Sequence, residues 1–67
     1  MEIDKARELI QQQIRFGSGY NRHAVRLILG EIQRGHGQAA VDRLILELDL
    51  QQAFDLKPGT DFSRVGR

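Results

Sequence analysis

The sequence predicts an all-α fold: a small three-helix bundle with a short fourth helix and a flexible C-terminal tail. Apolar residues recur at helical spacing in every long segment, glycine-bearing turns separate those segments, and no strand is predicted. The fold is expected to occupy residues 1–60 as a single domain, with 61–67 as the tail.

The first helix is expected from about Asp4 to Phe16, with Ile3, Ala6, Leu9, Ile10 and Ile14 on one face and Asp4 as its N-cap. Gly17 is the expected stop, with Arg15 in the last turn where a cation suits the helix dipole. Gln11-Gln12-Gln13 is read as the wet side of this helix, since glutamine is a good helix former.

The second helix is expected to start between Ser18 and Asn21 and to end near Arg34, followed by a Gly35-His36-Gly37 turn. At about 100° per residue, Tyr20, Ala24, Val25, Leu27, Ile28, Leu29 and Ile32 fill an arc of roughly 200°, wide enough to pack on more than one neighbour. Gly30 interrupts this helix at a cost of about 1 kcal/mol relative to Ala. It marks either a local bend or a close backbone approach by a partner.

The third helix is expected from Gln38 to Leu48, with Ala40, Val41, Leu44, Ile45 and Leu48 as its main face. A second stripe of Ala39, Leu46, Leu50, Ala53 and Phe54 lies on the opposite side of the wheel. A break or bend near Asp49 is expected, because Asp49-Leu50-Gln51-Gln52 has the form of a capping box. Lys57-Pro58-Gly59-Thr60 then ends helical structure, and the tail is mobile unless Phe62 and Val65 dock. The expected core is Ile10, Ile14, Val25, Ile28, Ile32, Val41, Leu44, Ile45 and Leu48.

Composition narrows the function classes. At 67 residues a single core supplies only about 3–5 kcal/mol, and with no cysteine the chain cannot add disulfides. Oligomerisation or partner binding is the remaining route to further burial. A net charge of +1 is far from the balance that by itself marks a nucleic-acid partner, so any such reading rests on local charge. Met1-Glu2-Ile3-Asp4 has no positive n-region, and no apolar run reaches the length of a membrane span. A cytoplasmic location and no membrane partner are expected.

Two surfaces are candidate sites. Leu46, Leu50 and Phe54, on the second stripe, form an expected face for a protein partner or a second copy of the chain. Arg22, His23, Arg26 and Arg34 form a polar arc without a carboxylate, beside a glycine-rich loop, and suit an anion or the phosphates of a nucleic acid. A DNA-reading third helix is disfavoured, because Gln38, Asp42, Arg43, Glu47 and Asp49 would face outward with more acids than bases.

No catalytic constellation is present: Ser18, Thr60 and Ser63 have no identifiable base, and His23 and His36 have no partner at metal-ligand spacing. No enzyme activity, metal or cofactor is expected. Three short helices with Phe16-Gly17 after the first are loosely similar to ubiquitin-associated domains, although that family has the Gly-aromatic order and a shorter second helix. The leading expectation is a non-enzymatic interaction or regulatory module that self-associates through the second stripe. A nucleic-acid-binding protein using the basic side of the second helix is the alternative.

Overall fold

The computed structural model describes residues 1–17 and 21–66. Four helices follow one another: α1 (Ile3–Phe16), α2 (Arg22–His36), α3 (Gln38–Glu47) and α4 (Leu50–Phe54). Consecutive helices pack on each other, and a strap without regular structure, residues 55–66, closes the bundle. No helix is long and apolar enough to cross a membrane among the described residues.

The helix starts differ from the capping expected of them. Glu2, not Asp4, precedes α1, in extended conformation and without a side-chain cap; Asp4 lies in the first turn, where it accepts from Arg7 Nη1 at 2.6 Å. Asn21 precedes α2 with helical φ and ψ, and its side chain donates to the Gln13 carbonyl at 3.3 Å instead of capping α2. Ser18, Gly19 and Tyr20, part of the predicted glycine-rich loop and apolar arc, lie outside the described residues.

The α2–α3 link is shorter than the expected three-residue turn. Gly35 and His36 stay helical, and Gly37 alone makes the connection at φ 93°, a backbone region open to glycine at little steric cost. His36 ends α2 with its Nε2 3.0 Å from the Met1 carbonyl oxygen.

A break does fall at Asp49, which adopts a left-handed conformation (φ 52°, ψ 50°) and makes no side-chain cap. This one residue changes the fate of the second stripe. A continuous helix would hold Leu46, Leu50 and Phe54 on one outward line, but the left-handed step reverses the chain, so Leu50 and Phe54 turn inward while Leu46 stays out.

The core comprises Ala6, Ile10, Val25, Leu29, Ile32, Val41, Leu44, Ile45, Leu50, Phe54, Leu56 and Phe62. Ile14, Ile28 and Leu48 are only partly buried against it, so the α2 face is centred on Val25, Leu29 and Ile32 instead of Ile28. The additional burial that so short a chain needs comes from its own later residues, Leu50, Phe54, Leu56 and Phe62.

The strap docks through residues 59–65. Phe62 is 2 % exposed, and five hydrogen bonds tie the strap's main chain to side chains of α2 and α3. Gly59 N–H donates to Asp42 Oδ1 at 2.7 Å, Gln38 Nε2 donates to the Thr60 carbonyl at 2.9 Å, and Phe62 N–H donates to Gln33 Oε1 at 3.0 Å. Arg34 Nη1 donates to the carbonyls of Ser63 and Val65, both at 3.0 Å. The condition on which the tail was expected to order is thus met for residues up to 66, and Arg67 lies outside the described residues.

Gly30 is explained by the same packing. A Cβ built on it would sit 2.7 Å from the Phe62 carbonyl oxygen and 3.0 Å from that of Val65. Of the two alternatives, bend or close approach by a partner, neither is what explains Gly30: a backbone does approach closely, but it is the chain's own strap.

Candidate basic cleft on the second helix

The residues of the predicted cationic arc have separate fates. Arg34 is engaged by the strap, so it serves the fold. Arg22 donates through Nε to the carbonyl of Phe54 at 2.8 Å. Phe54 ends α4, and a helix leaves its last carbonyls without intrahelical donors, so this guanidinium supplies one from outside. His23 is exposed to solvent.

Arg26 lies one turn after Arg22 on the same side of α2. Together they form one wall of a cleft of about 140 Å³, whose remaining lining is Asp55, Leu56, Lys57, Thr60 and Phe62. The opposite wall is therefore the strap, and Leu56 and Phe62, both 2 % exposed, are the apolar part of the lining. Lys57 was absent from the predicted basic set, because it follows α4 in a turn and only the docked strap brings it to α2.

The cleft carries Arg22, Arg26 and Lys57 against one carboxylate, Asp55. Among the described residues, the ion pairs elsewhere join Arg7 to Asp4 and to Glu47, and the Met1 ammonium to Glu31; none involves a cleft cation. Two acids of α2 and α3 are engaged elsewhere. Glu31 faces the N-terminus, and Asp42 accepts from Gly59 N–H and from Gln38. These hydrogen bonds, the Gly59 N–H foremost, hold the Asp42 carboxyl below the ordinary value of 3.8.

The predicted apolar face is not assembled as one surface. Leu50 is 0 % and Phe54 6 % exposed inside the core, whereas Leu46 is 70 % exposed on α3. Phe16 at the end of α1 is the other strongly exposed apolar side chain among the described residues, at 72 %. No three His, Cys, Asp or Glu side chains gather as a metal site would require among the described residues.

Sequence reasoning found Arg22 and Arg26 from their spacing. It missed Asp55, Leu56, Lys57 and Thr60, for which the one signal was the pair of apolar residues, Phe62 and Val65, in an otherwise polar tail. No protein-family model matches the chain, and no match to it was found among curated proteins or solved structures.

Proposed function

We propose that this chain is a small cytoplasmic, non-enzymatic binding module that holds the phosphate backbone of a nucleic acid on the basic side of α2. The observation that carries the reading is the contrast between the two surfaces. Leu50 and Phe54 of the apolar stripe are buried in the core, which leaves Leu46 as its one large exposed side chain, while Arg22, Arg26 and Lys57 line one open cleft with no ion-pair partner among the described residues. Cations held without internal neutralisation gain by pairing with phosphate, and each neutralised phosphate releases counterions from the nucleic acid.

Contacts of this kind fix position without reading sequence, so little base preference is expected. Labelled single- and double-stranded oligonucleotides titrated at rising salt test the reading. With three phosphate contacts the duplex affinity should fall with a log–log slope of roughly −3. Arg26→Glu combined with Lys57→Glu should abolish binding. That pair is preferable to reversal of Arg22, whose bond to the Phe54 carbonyl belongs to the fold. Absence of binding at low salt, where attraction is least screened, would remove the proposal.

Self-association is a second reading, favoured by the exposure of Leu46 and Phe16. Sedimentation of the parent and of Leu46→Glu separates it: a parent that is monomeric at high concentration excludes it.

A further inference from the structure

The geometry points to the cleft as a site for a single phosphate group that fastens the strap to α2. This rests on the preceding reading of the basic side and adds to it both a ligand group and a consequence for the fold.

The cleft is walled by two elements that are distant in sequence. Arg22 and Arg26 come from α2, and Lys57 and Thr60 come from the strap. The guanidinium of Arg26 and the free Nη atoms of Arg22 offer forked donors suited to a planar edge of phosphate oxygens. Lys57 adds a point charge from the facing wall, and the Thr60 hydroxyl adds a neutral donor. A phosphate is compact enough for a space of about 140 Å³.

Charge favours the same occupant. Three cations and one carboxylate line the cleft, so it carries an excess of positive charge that a dianion would offset, with Asp55 opposing only in part. Leu56 and Phe62, buried in the lining, exclude water from one side of the site and strengthen the pairing on the other.

A ligand that touches both walls links binding to docking of the strap. Phosphate binds the docked form and has no site once residues 57–60 leave α2, so it shifts the local opening equilibrium toward the closed state. The occupant is either a free phosphate or one monoanionic phosphodiester of an oligonucleotide; both offer non-bridging oxygens to the same donors, the free dianion offsets more of the cleft's charge, and the experiment separates them.

The test is thermal unfolding and amide exchange of the full chain with inorganic phosphate, against chloride at equal ionic strength. The expected result is a saturable rise in melting temperature, with at least threefold slower exchange confined to residues 59–65. Arg26→Gln and Lys57→Gln should each lose that rise while melting close to the parent in chloride. Phosphate also stabilises proteins generally by exclusion from their surface, and that effect would be unsaturable and equal in the variants. Such an outcome overturns the site.

An oligonucleotide that binds, is lost with Arg26→Glu and Lys57→Glu, and is not displaced by phosphate would leave the basic face standing and refute the single-phosphate site. Displacement by millimolar phosphate at constant ionic strength assigns the cleft to the phosphate group from either source. Failure of both ligands would end both readings.

Discussion

Gly30→Ala is the most direct test of how the bundle is closed. In an ordinary helix interior the change is favourable by about 1 kcal/mol, because alanine loses less backbone entropy on folding. Here the new methyl would meet the Phe62 carbonyl oxygen at 2.7 Å and the Val65 carbonyl oxygen at 3.0 Å, both main-chain atoms that cannot rotate away. Forcing a methylene-sized group into a filled contact costs about 1–3 kcal/mol, so the strap must shift and strain its bonds to Gln33 and Arg34. The net expectation is a loss of up to about 2 kcal/mol, which in a domain of this size lowers the melting temperature by up to roughly 16 °C. Gly35→Ala is the internal control: it lies in the same helix with nothing within 4 Å of its would-be Cβ, and it should stabilise by up to about 1 kcal/mol. Circular-dichroism melts of the two variants beside the parent suffice. If Gly30→Ala melts at or above Gly35→Ala, the strap does not lie over α2 as described.

Asp49→Gly is expected to stabilise the fold by about 0.5–1 kcal/mol in urea denaturation, since Asp49 holds a left-handed conformation with no side-chain cap in return. A loss of stability would reveal a contact made by the Asp49 carboxylate. Acid should loosen the strap at its Gly59 end. The Asp42 carboxyl is depressed by the Gly59 N–H in the folded chain, so the unfolded state binds the proton more tightly; the stabilisation is complete above the ordinary value of 3.8 and is lost as pH falls through the lower, folded value. The Gly59 amide resonance should therefore titrate with a midpoint below 3.8 and lose that response in Asp42→Asn; a midpoint at or above 3.8 refutes the bond.

Periodicity carried the helices well and the closure poorly. α1 and α3 lie within a residue or so of their expected bounds, because Ile10, Val41, Leu44 and Ile45 repeat on faces that the core then buries. The end of α2 was misplaced because Gly35 reads as a breaker, whereas a helix tolerates glycine near its end and only Gly37 takes a positive φ. The expected break does fall at Asp49, but a helical wheel gives no direction for the chain beyond a break, so the inward turn of Leu50 and Phe54 is not legible from their spacing with Leu46. Leu56 and Phe62 escaped because a strap has no period to detect. The duties of Arg22 and Arg34 were hidden for a different reason: their acceptors are carbonyl oxygens about thirty residues away, and a carbonyl is present in every residue type.

The hydrogen bonds from α2 and α3 side chains to the strap all fall on its peptide groups, and this divides the chain into a part that reads and a part that is read. Gln33, Arg34, Gln38 and Asp42 grip amides and carbonyls that would be the same whatever side chains stood at Thr60, Asp61, Ser63 or Arg64. Within residues 59–65, identity is tied to docking at Phe62, which supplies the buried ring, at Val65, which packs beside the core, and at Gly59, which holds a φ of 86°. The outer face of the strap can therefore drift in charge and chemistry without undoing closure, and residues such as Arg64 can be redrafted to suit a ligand while the helices beneath keep their register.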